Sequence, residues 1–142
     1  MIRLRGYPWD AVRALALPPE DYAVFGSAPI LAYGLISEVG DIDILATGSA
    51  WQAAQKLGTP KVAPGGDRVI QLSSELAIFD GWLGLDVAEI LARSSPKDGL
   101  PIAQLDDVAA YKRLLNRPKD RAHLKLLEPY LAQRSVTDCK NV

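Results

Sequence analysis

Two aspartates one residue apart, Asp41 and Asp43, form the most chemically suggestive pair in the chain. Side chains at positions i and i+2 of a β-strand lie on one face, so a strand here would bring the two carboxylates together. Two such carboxylates repel each other unless one is protonated or a cation lies between them. Mg²⁺, with Mn²⁺ as an alternative, is the usual cation in that position. The plainer interpretation is that both aspartates are solvated at the start of a strand.

A Gly-Ser pair, Gly26 and Ser27, lies between an apolar run at 22–25 and a predicted helix. Backbone N–H groups and a serine hydroxyl at the start of a helix can bind an anion such as phosphate. The alternative is an ordinary turn in which the serine caps the helix. Together with the aspartate pair, a phosphate site at the end of the adjacent strand would describe a site for a nucleoside triphosphate. The chain contains no G-x-x-x-x-G-K-[ST] loop.

The Gly-Ser pair, the helix after it and the segment Asp41-Ile42-Asp43 resemble the first motif of the nucleotidyltransferase superfamily, which has a DNA-polymerase-β-like fold. Because the spacing from Ser27 to Asp41 is longer than in the minimal antitoxin-type members, the chain looks more like the group that contains AbiEii-type toxins and related small bacterial proteins. Segments 105–112 and 117–124 are similar to the C-terminal motifs of that group. The resemblance covers residues 22–131, and it implies a nucleotidyltransferase fold.

This resemblance implies the Mg²⁺-dependent transfer of a nucleoside monophosphate from a triphosphate to an acceptor, with release of pyrophosphate. Gly26 and Ser27 would hold the triphosphate, and Asp41 and Asp43 would hold the metal. The acceptor, whether RNA, protein or small molecule, is not identified by the motifs. Lys112 matches a lysine thought to reach the phosphates, although an ordinary solvated helix lysine is the alternative.

Two other classes of function remain open at this stage. One is a catalytically silent nucleotide-binding module of the same fold, or a component of a toxin–antitoxin pair. The other is a structural domain in which the aspartates only cap a strand. Because 142 residues leave little room for an acceptor-binding domain, a second copy or a protein partner is expected to supply that surface.

The superfamily implies a third carboxylate on a neighbouring strand, which would help to hold metal and could act as the base. Asp80, which closes the apolar run 76–79, is the candidate, and Asp86 is the reserve. The simpler role of Asp86 is to cap the helix that follows it.

The segment Arg117-Pro118-Lys119-Asp120 could place further charges near the site. The favoured alternative is that Asp120 caps the last helix while Arg117 and Lys119 are solvated. The single histidine, His123, is expected to be structural or exposed, because no second imidazole is available for a metal site.

The composition predicts one globular domain over 1–134 and a frayed tail over 135–142. Apolar residues make up 49% of the chain and the net charge is −1, so there is no strong nucleic-acid signature. A single cysteine, Cys139, excludes an intrachain disulfide and favours a reducing compartment. With neither a signal-peptide pattern nor a membrane-length apolar run, the protein is expected in the cytoplasm.

The elements that must position these residues alternate between helix and strand. Helices are predicted over 9–17, 28–36, 50–57 and 85–94, followed by two more separated by Pro118; strands are predicted over 22–25, 41–46, 68–72 and 75–82. The Pro- and Gly-rich segments 60–67 and 96–101 are predicted to be loops. This order predicts an α+β domain with a small mixed sheet flanked by helices and a helical C-terminal part.

Overall fold

A computed structural model describes residues 3–140, with side chains through Arg134. The helices are α1 Trp9–Ala14, α2 Ala28–Ala32, α3 Gly48–Gln55, α4 Val87–Arg93, α5 Leu105–Leu115 and α6 Pro118–Lys140, with a 3₁₀ turn at Pro19–Asp21. The strands are β1 Tyr22–Phe25, β2 Ile42–Ala46, β3 Lys61–Val62, β4 Arg68–Gln71, β5 Leu76–Phe79, β6 Ser95–Lys97 and β7 Leu100–Ile102.

The seven strands form one mixed sheet in the order β3-β4-β5-β2-β1-β7-β6. The central strand β2 runs antiparallel to β1 and parallel to β5. The two C-terminal helices follow the last strand in the chain. The architecture is therefore α+β with a mixed sheet and a helical C-terminal part, as the order of elements predicts.

Two segments predicted to be loops contain short strands instead. Segment 60–67 contributes β3, and segment 96–101 contributes parts of an antiparallel pair, β6 and β7. The prolines that suggested a loop, Pro96 and Pro101, lie opposite each other in this pair. β6 is an edge strand, where a proline can lack an N–H without leaving a sheet partner unsatisfied.

The helix that follows the Gly-Ser pair is shorter than its apolar pattern suggests. α2 ends at Ala32 because Gly34 adopts a positive φ of 79°. The N–H groups of Gly34 and Leu35 then bond to the carbonyls of Leu31 and Ile30, at 2.9 and 3.1 Å, which is the Schellman pattern. Glycine is favoured at this position since a Cβ would strain the left-handed conformation.

The two faces of the sheet carry two separate apolar cores. Ile42 and Ile44 of β2 belong to the core on the side of α1 and α3. Leu45 belongs to the other core, together with residues of α5 and α6. The predicted alternation of β2 is confirmed, and it places Asp43 on the same face as α5 and α6.

The C-terminal helix α6 begins at Pro118, the residue predicted to divide the last two helices, and its backbone is helical to Lys140. Asn141 and Val142, the end of the predicted frayed tail, lie outside the described residues. Across residues 3–140, none of the helices combines the length and apolar composition that crossing a membrane requires.

Candidate functional site

A cleft of about 930 Å³ opens where β1 ends and β2 begins. Elements that are distant in sequence supply its polar wall: the turn after β1, the start of β2 and the first turns of α6. The side chains that meet there are Ser27, Asp41, Asp43, Arg117, Lys119 and His123. The serine and the aspartate pair predicted to act together therefore line one cleft, joined by the charges of the 117–120 segment.

Gly26 lies directly against the second aspartate. Phe25 pairs with Asp43 across the two strands, so the turn after β1 begins beside that carboxylate. The φ of Gly26 is 65°, and a Cβ at this position would lie 2.8 Å from Oδ2 of Asp43. Glycine is therefore required here both for its backbone conformation and for the close approach of the carboxylate.

The Ser27 side chain does not cap α2. Its Oγ accepts a hydrogen bond from Lys112 Nζ at 3.0 Å and lies 3.5 Å from His123 Nδ1. α2 has only five residues, so its dipole is weak. Attraction for an anion in this cleft must come mainly from basic side chains rather than from the start of the helix.

Lys112 is completely buried, which excludes the solvated alternative. Besides its bond to Ser27, its Nζ donates to Asp120 Oδ1 at 3.2 Å. Burial lowers the pKa of Lys112, and the hydrogen bond and charge of Asp120 oppose that shift. Lys112 does not line the cleft, so its link to the cleft surface is the hydrogen bond to the Ser27 hydroxyl.

Asp120, also buried, combines the predicted capping role with this ion pair. It is the third residue of α6, and its Oδ2 accepts the backbone N–H of Arg117 at 3.1 Å and the Arg117 Nε at 2.7 Å. A carboxylate bonded to the residue before the helix is half of a capping box. Burial would raise the pKa of Asp120, but the bonds from Arg117 and Lys112 outweigh it and lower the pKa to about 2.

The environment of Asp43 disfavours the charged form of its carboxyl group. Burial, and then repulsion by Asp41, raise the pKa of Asp43 to about 6. Lys119, Arg117 and Lys112 partly offset this rise. A partly buried carboxylate beside a second carboxylate is a group whose charged form would gain from a nearby cation.

We expect Asp43→Asn to stabilise the fold at pH 7.5 by about 1–3 kcal/mol, because each pKa unit corresponds to about 1.4 kcal/mol. The pKa of about 6 lies above the ordinary 3.8, so ionising Asp43 costs more in the folded chain than in the unfolded one. Stability is therefore lost as the pH rises from about 4 to 6. Urea unfolding of both proteins at pH 7.5 and 4.5 should show a clearly larger gain at pH 7.5, because most of the cost of ionising Asp43 arises above pH 4.5. An equal gain at both values would contradict this assignment.

Neither candidate third carboxylate joins the pair. On β5, the residue level with Asp43 is Ala77, and Asp80 lies three residues further on. Asp80 accepts the backbone N–H of Arg68 at 2.9 Å and pairs with the Arg68 Nε at 2.7 Å. The reserve, Asp86, caps α4 by accepting the Glu89 N–H at 3.2 Å, which is its simpler predicted role.

His123 lies on the cleft wall rather than on open surface. Burial, followed by the charges of Lys112 and Lys119, lowers its pKa, so the imidazole is neutral at pH 7. Its place at the cleft was missed because helix periodicity alone does not show which face meets the sheet. The cleft also includes Glu38 and Asp67, which no sequence pattern singled out.

No model of a protein family matches the chain, and searches of curated proteins and of solved structures returned no match. The chemistry of the cleft must therefore be inferred from its own residues.

Proposed function

We propose that the cleft binds a nucleoside triphosphate with Mg²⁺ and that the protein transfers the nucleoside monophosphate to an acceptor. The observation that carries this proposal is the meeting of Asp41 and Asp43 with two basic side chains, Arg117 and Lys119, in one cleft. Adjacent anionic and cationic groups are what a metal-bound polyphosphate requires. The resemblance of the Gly-Ser and Asp-x-Asp segments to nucleotidyltransferases supports the same conclusion.

The two aspartates fit a divalent cation by the chemistry of their oxygens. They are hard carboxylate ligands that both line the cleft where β2 begins, and burial and the charge of Asp41 raise the pKa of Asp43. A cation between them would relieve that repulsion. When bound, Mg²⁺ would offset negative charge on the phosphates and on the departing pyrophosphate.

The chain's own contribution is positioning and electrostatic stabilisation. Arg117 and Lys119 line the cleft and would contact phosphate oxygens, whereas buried Lys112 would fix the Ser27 hydroxyl that faces them. In the transfer, an acceptor hydroxyl forms a bond to the α-phosphorus, and the bond from that phosphorus to the bridging oxygen of pyrophosphate breaks. The hydroxyl proton passes to solvent. A rate gain here comes from holding the reactants in line.

A silent nucleotide-binding module is the second candidate, and the place of Asp80 favours it. Asp80 pairs with Arg68 and does not join Asp41 and Asp43, so the third carboxylate that the resemblance implies is not supplied by that residue. A toxin–antitoxin component would belong to the same class. In either case, a protein partner or a second copy stays a prediction.

Calorimetric titration of each nucleoside triphosphate, with and without Mg²⁺, tests the proposed site. We expect Mg²⁺-dependent binding to the unmodified protein and a loss of at least tenfold in affinity in Asp43→Asn, or about 1.4 kcal/mol or more. The same variant is expected to be more stable at neutral pH, so unfolding would not explain its loss of binding. Asp80→Asn, which removes a carboxylate outside the cleft, is the matched control.

Binding that survives Asp43→Asn unchanged would contradict the proposed site. If binding depends on Asp43, incubation with α-labelled triphosphates and candidate acceptors separates the two functions. Transfer of label to an acceptor supports the transferase, and tight binding without transfer or pyrophosphate release supports the silent module.

A further inference from the structure

The wall of the cleft opposite the charged groups is formed by the loop before β4 and the turn after β5. The pairing of Val69 with Phe79 continues to place Asp67 opposite Gly81. Asp43 pairs with Ala77, which comes four residues before Gly81. Asp67 therefore lies four residues further along the sheet than Asp43, and two strands away from it. These offsets correspond to about 13 Å along the strands and about 10 Å across them. A ligand with its phosphates beside Asp43 would place its other end near Asp67.

The Asp67 carboxylate is held in a fixed position at this wall. Its Oδ2 accepts the Leu83 N–H at 3.0 Å. Its Oδ1 lies 2.5 Å from the place that a Cβ on Gly81 would occupy, so only glycine lets the carboxylate lie against that backbone. Among residues 3–134, the Leu83 N–H is the one hydrogen-bond donor to this carboxylate, which leaves acceptor capacity for a ligand.

The surfaces beside Asp67 are apolar and aromatic. Phe79, Trp82 and Leu83 line the cleft, with Pro64 of the preceding loop. Phe79 and Trp82 are packed edge to face, with ring centroids 5.0 Å apart, which fixes their orientation. Flat apolar walls of this kind suit a planar heterocycle, and aromatic rings are common platforms for nucleobases.

We propose that Asp67 selects the nucleobase of the bound triphosphate, by accepting a hydrogen bond from an exocyclic amino group. This inference rests on the proposed function. Adenine, guanine and cytosine each carry such an amino group, whereas uracil presents a carbonyl oxygen at the matching position, as thymine does. A carboxylate at that position attracts the amino group and repels the carbonyl oxygen. The site therefore takes an amino-bearing nucleotide and discriminates against UTP.

Titration of the four ribonucleoside triphosphates with Mg²⁺ tests this selection. The unmodified protein should bind at least one amino-bearing triphosphate about tenfold or more tightly than UTP. In Asp67→Asn, whose amide can both donate and accept, we expect the ratio to fall within about threefold. Asp80→Asn, which changes a carboxylate that also accepts a backbone N–H but lies outside the cleft, should keep the ratio.

A second comparison changes the ligand, so that it does not depend on the folding of a variant. If a purine triphosphate is preferred, its analogue without the amino group should bind the unmodified protein about tenfold more weakly than the parent triphosphate. The analogue is purine riboside triphosphate for ATP and inosine triphosphate for GTP. If CTP is preferred, comparison with UTP serves the same purpose.

Three results would overturn the selection while leaving the proposed function in place. The first is equal binding of all four triphosphates. The second is an Asp67→Asn variant that keeps the affinity ratio between the amino-bearing triphosphate and UTP. The third is an Asp67→Asn variant in which only the preference for ribose over deoxyribose changes. The last result would assign Asp67 to the sugar. Failure of the unmodified protein to bind any triphosphate would overturn both proposals.

Discussion

Asp120→Ala is expected to destabilise the fold by about 3–5 kcal/mol, the cost of leaving a buried charge without its partner. Asp120 and Lys112 are both completely buried, and their polar atoms are 3.2 Å apart. Without the carboxylate, and among the side chains described through Arg134, the Ser27 hydroxyl would be the one hydrogen-bond partner left to the Lys112 ammonium. Urea unfolding at pH 7, followed by circular dichroism, measures the effect.

Two further variants separate a buried charge from a general loss of contacts. Glu128→Ala removes an acid of the same helix whose pairing with Arg113 at 3.7 Å is exposed, and it should cost less than about 1 kcal/mol. The double variant Lys112→Met with Asp120→Leu removes both buried charges and should be more stable than Asp120→Ala alone. If Asp120→Ala costs no more than Glu128→Ala, the pair does not stabilise the junction of α5 and α6.

Gly26→Ala should weaken Mg²⁺-dependent triphosphate binding at least tenfold while the protein remains folded. A left-handed conformation costs an alanine about 1–2 kcal/mol, and its Cβ would lie 2.8 Å from Oδ2 of Asp43. The carboxylate is the end of a side chain, so it is the group that moves. Calorimetry should show a loss of at least tenfold in affinity, since Asp43 would no longer be held beside the turn.

Gly99→Ala is the matched control for this substitution. Gly99 has a φ of 81°, and a Cβ there would meet nothing within 4 Å. Gly99→Ala should therefore lose a similar amount of stability through its backbone conformation, without disturbing the cleft. If the two variants lose the same stability and both keep binding, the contact between Gly26 and Asp43 has no role in the site.

Local patterns in the sequence determined several elements that position the site. Four consecutive apolar residues predict β1 at its observed bounds, and the alternation of Ile42, Asp43 and Ile44 assigns the aspartate to its face. Such patterns are reliable because a strand turns successive side chains to opposite sides, whatever the rest of the chain does. The aspartates could be selected as candidates for the same reason, and the Gly-Ser pair because it lies between an apolar run and a predicted helix.

The tertiary structure alone decided which of the candidates meet. Asp80 closes an apolar strand as a site residue would, but the register of β5 against β2 places Ala77 beside Asp43. The sequence left Lys112 either in contact with phosphates or solvated, whereas the packing of α5 against α6 buries it with Asp120. Register and helix packing depend on contacts between distant segments, which a local pattern does not contain.

The residues of the cleft also show which features depend on the local sequence and which depend on the tertiary structure. The sequence by itself determined the type and spacing of the carboxylates, on which the proposal of a cation site rests. The sheet order decided that Asp67, from a segment predicted to be a loop, lies on the opposite wall. The physical reason is that a strand fixes the direction of its own side chains, while the partner across a cleft is fixed only by the lowest free energy of the whole fold.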